Sequence, residues 1–136
     1  MNTLFNDTGT RRWKNRFLIR IGTRFMPLQA NDIALFYTRD RLHWIKTKAN
    51  ADHVIEYTLD ELEEQLDPER FFRVNRQFIV SYDAVDMVHA LFDGKLRLVV
   101  RPAAYEEIII SRLRAGDCKR WLGAGNTSGF DRPSRI

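Results

Sequence analysis

The chain has 136 residues, 44% of them hydrophobic, and carries a net charge of +4 from 22 Lys and Arg against 18 Asp and Glu. That length suits one domain with its own core, and nine Phe, four Tyr and three Trp exclude a mostly disordered chain. A single cysteine excludes an internal disulfide framework; apolar runs as short as Ile108 to Ile110 fall far below the roughly 20 residues of a spanning helix, and with no signal peptide visible the expected location is cytoplasmic.

Residues 1–16 are polar and basic, with Arg11, Arg12, Lys14 and Arg16, and read as an arm or linker. The ordered domain is expected over 17–122, and the Gly, Ser, Asn and Pro of 123–136 read as a flexible tail. In the domain, Phe17, Ile19 and Ile21 alternate with Leu18 and Arg20, the period of two that marks a strand. Ile33 to Tyr37 is a short apolar run, Leu42 to Lys48 alternates again, and Val54 to Tyr57 is β-branched and aromatic; each predicts a strand. Thr58 with Glu61 three residues on forms a capping box, in which each side chain satisfies the other residue's backbone N–H. Leu59, Leu62 and Leu66 then mark one helical face, and Asp67-Pro68 stops the helix. Strands follow over Phe78 to Tyr82, Val85 to His89 and Leu96 to Val100, the last two joined by an Asp93-Gly94 hairpin turn. A second helix starts at Ser111, a sound N-cap, and ends near Leu122 before Gly123. Its apolar positions are Leu113, Ala115, Cys118, Trp121 and Leu122, and Gly116 in its middle lowers its stability. The result is a mainly β fold with one or two short helices. It lacks the run of helices that a helix-turn-helix requires, so any DNA reading falls to strands and loops.

The charge is segregated. Residues 58–69 (TLDELEEQLDPE) hold six acids and no base, and outside them 22 bases face 12 acids. A basic body with one acidic element fits a nucleic-acid binder whose acidic helix is a solvated far side. No motif supports catalysis. A G-x-S-x-G elbow, a G-x-G-x-x-G run and a Walker A run are all absent. The isolated His43, His53 and His89 and the lone Cys118 lack metal-ligand spacing, so no metal or cofactor is expected. Cys118, inside a helix with apolar neighbours, reads as a small core residue. Three basic clusters stand out: Arg39 to Arg41 with His43 and Lys46, then Arg73, Asn75, Arg76 and Gln77, then Arg112 and Arg114. Arg, Asn, Gln and His all bond base edges or phosphates. Any one cluster alone reads better as a solvated strand edge or a capping pair.

Together the clusters carry a resemblance. Phe71 to Val80 (FFRVNRQFIV), Ile110 to Arg112 (ISR) and Lys119 to Leu122 (KRWL) resemble the LytTR DNA-binding domain, the AlgR/AgrA/LytR family. Asp32 to Thr47 (DIALFYTRDRLHWIKT) and Thr58 to Val74 (TLDELEEQLDPERFFRV) are similar in order and spacing. The likeness covers about residues 17–122. It implies an elongated LytTR-type arrangement of small antiparallel sheets, which enters successive major grooves of duplex DNA through its loops and bends it. It also implies transcription regulation and no enzymatic activity. Carried over position by position, His43, Arg76 and Arg112 match base-contacting positions. Asn75 and Gln77 flank the second contact as phosphate or base partners. Arg41, Lys46 and Arg114 are placed as phosphate contacts from charge and position. The implied partners are double-stranded DNA with repeated half-sites and a second copy of the chain on it, with no membrane. Many relatives carry a receiver domain, which a sensor kinase phosphorylates, before this module. About 16 residues precede Phe17 here, so a stand-alone regulator or an excised output domain is expected. Cys118 departs from the family, many members of which have an aromatic near the end of the last helix. Two other readings stay open: a protein-interaction module using the acidic helix or exposed strand edges, and RNA binding through outward aromatics.

Overall fold

The computed structural model describes residues 12–125, which form ten strands and two helices in three antiparallel sheets. A two-stranded ribbon comes first, β1 (Arg16–Ile21) and β2 (Arg24–Gln29). Its turn holds Gly22 at φ +63, a left-handed conformation that glycine adopts without strain. The central sheet runs β5-β4-β3-β7-β6, from β3 (Ile33–Arg39), β4 (Leu42–Thr47), β5 (Asp52–Ile55), β6 (Phe71–Arg73) and β7 (Phe78–Ser81). Helix α1 (Leu59–Gln65) links β5 to β6. The third sheet is β10-β9-β8, from β8 (Val85–Ala90), β9 (Leu96–Val100) and β10 (Ile108–Ile110), and α2 (Arg112–Leu122) follows.

The central sheet is covered on both faces. Alternation along β3 sends Phe36 to one core and Leu35 and Tyr37 to the other; along β7 it sends Ile79 to the first and Phe78 and Val80 to the second. The first core gathers Phe17, Ile19 and Leu28 of the ribbon with Leu59, Leu62 and Leu66 of the α1 segment. The second gathers Leu98, Ile108 and Ile110 with Ala115 and Cys118 of α2. A strand buried on both faces needs apolar residues at every position, which is why β3 and β7 read as continuous apolar runs.

Both helices begin where their caps place them. Thr58 Oγ1 accepts from the Glu61 N–H at 3.1 Å, and Glu61 Oε1 accepts from the Thr58 N–H at 2.9 Å. Ser111 caps α2 by accepting from the Arg114 N–H, and the helix runs unbroken through Gly116 to Gly123. Leu113, expected on the apolar face, is 90% exposed. It precedes Ala115 by two positions, about 200° around the helix, and so points away from the stripe that Ala115 and Cys118 bury. Strands β2, β6 and β10 were not expected. β2 contains Pro27 and polar ends, which suit a ribbon but not a central strand. The other two span three residues each, too few for alternation to show. Asp93 and Gly94 both have positive φ, as expected of that turn, but pairing closes at Ala90 and Leu96, so the loop is longer than a two-residue turn.

Part of the basic arm is folded in. The Lys14 N–H donates to the Gln65 carbonyl at 2.8 Å, and the Asn15 carbonyl accepts from the Ala30 N–H at 2.8 Å. Arg11 and the tail beyond Gly125 lie outside the described residues. No helix among the described residues is long and apolar enough to cross a membrane.

Candidate nucleic-acid interface

The first element is the hairpin of β3 and β4. Arg39 pairs with Leu42, leaving Asp40 and Arg41 as the turn at φ +56 and +65. Both residues are left-handed, the geometry whose twist matches the flanking strands. Asp tolerates that region and Arg does so at some strain. The turn sets Arg41 out in solvent. His43, two residues on, is half-buried between Thr38 and Ile55 on the neighbouring strands, with its Nδ1 enclosed and without a hydrogen-bond partner.

The second element is the turn from β6 to β7. Asn75 builds it: its Oδ1 accepts from the N–H groups of Gln77 at 2.8 Å and Phe78 at 3.0 Å. Its Nδ2 donates to the Ile109 carbonyl at 3.0 Å, which ties the turn to β10. Arg73 holds the same turn from the side, its Nε donating to the Asn75 carbonyl and its guanidinium to the Arg76 carbonyl, both at 3.0 Å. The backbone of Arg76 is therefore fixed while its side chain stands exposed. Gln77 is exposed too, and its carbonyl accepts from the Thr38 N–H at 3.0 Å, linking the turn to β3.

The third element joins the β8–β9 loop to the start of α2. The Arg112 side chain lies over Gly94 so closely that a Cβ there would sit 2.8 Å from Arg112 Cγ. Arg112 is exposed, and Lys95 follows Gly94.

Parts of these elements border two adjoining grooves. His43, Asp60, Arg73 and Arg76 line one groove. Arg73, Asn75, Arg76, Lys95, Ser111 and Arg114 line the next. Arg76 borders both, with His43 on one side and the loop carrying Lys95 on the other.

Three of the expected contact residues have partners within the protein. Lys46 is 8% exposed, and its Nζ donates to Asn50 at 2.9 Å and to Asp52 at 3.0 Å. The same Asp52 accepts from the Tyr37 hydroxyl at 2.8 Å, and Tyr37 stacks on Trp44. Burial, then the bond to Asp52, raises the Tyr37 pKa and keeps this hydroxyl a donor. Arg114 donates to the Arg73 carbonyl at 2.5 Å and lies over the Phe72 ring. Asn75 commits its oxygen and one amide hydrogen within the protein. Sequence reasoning missed these partners because each lies far away in the chain or across a sheet.

The acidic helix is not a far side. Asp60 and Glu63 lie 2.6 and 3.3 Å from Arg73 and line the same grooves as His43 and Arg76. Lys95 carries little sequence signal, only that of a base just after an Asp-Gly turn. Cys118 is fully buried, and burial pushes its thiol pKa up to about 11.

A family model described as the LytTr DNA-binding domain matches residues 23–123. The sensory transduction protein LytT of Oceanobacillus iheyensis is 27% identical over 103 residues, which cover 74% of this chain. The chain spans about two fifths of the length of that curated relative, 41%. A solved LytTr DNA-binding domain from Bacillus cereus superposes with a TM-score of 0.69 at 18% identity, covering 81% of this chain and 98% of that one. That likeness is one of fold: a mainly β chain of small antiparallel sheets with two helices.

Proposed function

The chain belongs to the LytTR DNA-binding domain family, and from that premise we propose that residues 17–122 bind specific duplex DNA sequences and regulate transcription. His43, Arg76 and Arg112 read base edges. Arg41, Gln77 and Lys95 contact phosphates. Lys46, Arg114 and Asn75 hold the reading loops rather than touching DNA.

One observation carries this reading. The exposed Arg76 side chain rises from a turn whose backbone is bonded on three sides, by Asn75, Arg73 and the link to Thr38. A guanidinium reads guanine O6 and N7 only when its fork is aimed, and each good bidentate contact contributes about 1–3 kcal/mol of discrimination. A rigid base supports that aim. Basic side chains around it release counterions from the phosphates, which supplies most of the affinity. One small module buries limited surface, so two copies on repeated half-sites supply operator-level specificity. In a longer protein, an attached signal-receiving domain is the place where such binding is controlled, in keeping with the sensory-transduction name of the relative.

The test is Arg76→Ala on the preferred sequence and on random duplex. The reading expects a loss of about ten-fold or more on the preferred sequence, with a much smaller change on random DNA. Equal losses on both would remove Arg76 from the base readers.

A further inference from the structure

We propose that Asp60 and Glu63 of α1 act as built-in stand-ins for phosphate on Arg73, locking the reading turn before DNA arrives and suppressing binding to nonspecific sequence. This rests on the DNA-reading function proposed above.

The Arg73 side chain is 16% exposed and bonds four acceptors. Two are the carbonyls of Asn75 and Arg76, which belong to the reading turn. The other two are the carboxylates of Asp60 at 2.6 Å and Glu63 at 3.3 Å. A guanidinium held this way is neutralised and preorganised, and it is withdrawn from the phosphate contacts that an Arg on a DNA-facing surface ordinarily makes.

The carboxylates themselves stand at the surface, with side chains 88% and 51% exposed. Their cost to DNA binding is direct. They border the grooves that His43 and Arg76 line, and charges within a Debye length of about 8–10 Å repel an approaching phosphate backbone. A preferred sequence offsets that repulsion through the base contacts of a turn already in place. Random sequence has no such offset. The acids thus lower nonspecific affinity more than specific affinity, and raise the ratio that decides occupancy of a site.

The experiment compares wild type with the double variant Asp60→Asn, Glu63→Gln, leaving the Thr58–Glu61 cap intact. Each protein is measured on the sequence that wild type selects and on random duplex, across a salt series. On random DNA the variant is expected to bind about ten-fold more tightly at low salt, with a log–log salt slope steeper by about 0.9, the signature of one added phosphate contact. Affinity for the selected sequence should gain less than affinity for random DNA, because loss of the lock on the reading turn offsets the lost repulsion, so the selected-to-random ratio falls several-fold. An unchanged slope and an unchanged ratio would overturn the proposal. A second variant, Arg73→Lys, keeps the charge but loses the fork. It is expected to bind the selected sequence at least five-fold more weakly while remaining folded, and wild-type affinity there would overturn the positioning role. Wild type that selects no sequence would instead overturn the proposed function, and the random-DNA comparison would still decide whether the carboxylates suppress nonspecific binding.

Discussion

Replacing Asn75 with alanine tests the internal staple of the interface. The change removes three hydrogen bonds, from the Gln77 and Phe78 N–H groups to Oδ1 and from Nδ2 to the Ile109 carbonyl. Gln77 is exposed, so its N–H rehydrates at little loss. Phe78 is fully buried and Ile109 is half-buried, and an unsatisfied buried polar group costs roughly 1–3 kcal/mol. The expected destabilisation is about 2–4 kcal/mol, compared with about 0.5 kcal/mol or less for an ordinary surface change. With a urea m-value of about 2 kcal/mol/M, the unfolding midpoint falls by roughly 1–2 M at constant m. Equilibrium urea unfolding, followed by tryptophan fluorescence and by far-ultraviolet circular dichroism, measures this. A midpoint shift below about 0.3 M, equivalent to ~0.6 kcal/mol at that m-value, would refute the claim that Asn75 ties the turn to β10 and would return it to the contact residues.

Gly94→Ala places a methyl 2.8 Å from Arg112 Cγ at a backbone φ of +86. It is expected to destabilise by about 1–2 kcal/mol and to weaken binding to the selected sequence several-fold by displacing Arg112, as titration of fluorescent duplex would show. Gly116→Ala meets only the tip of Arg120, at 3.7 Å or more. It should stabilise α2 by roughly 0.5–1 kcal/mol and raise the thermal midpoint by about 2–5 °C; a fall would show that the helix needs glycine there. The Cys118 thiol, with its pKa raised by burial to about 11 from 9.0, resists alkylation at pH 8 while the chain is folded. Because the unfolded thiol ionises first, this group's contribution to stability is full below pH 9 and is lost as pH rises from 9 to about 11. Rapid labelling of the folded chain at pH 8 would contradict its burial.

How far the sequence revealed all this depends on the range of each interaction. Thr58 and Glu61 sit three residues apart and signal their helix locally, as does Ser111 before α2. The double-sided burial of β3 and β7 left continuous apolar runs that read correctly as strands. β6 and β10 gave no such signal, because three residues in a strand owe their conformation to neighbours across the sheet. The candidate site divides the same way. Arg76 stands out in the motif Phe71 to Val80, and its exposure matches that prominence. Lys46 looked identical in kind to a phosphate-binding lysine, yet the side chains of Asp52 and Asn50 fold back onto it and take its ammonium inside. The inward partner of Arg114, the Arg73 carbonyl 41 residues away, was equally invisible to the sequence. The acidic helix was separated from the basic face by composition alone, whereas the fold brings Asp60 and Glu63 against Arg73.

The most direct test of the central claim is selection of bound sequences from a random duplex library by the purified chain, with the winners measured across salt. The account predicts an enriched motif, with two repeats about one helical turn apart, and a steep loss of affinity as salt rises. Salt-sensitive binding with no enriched motif would contradict it, leaving a basic surface that holds DNA without reading it.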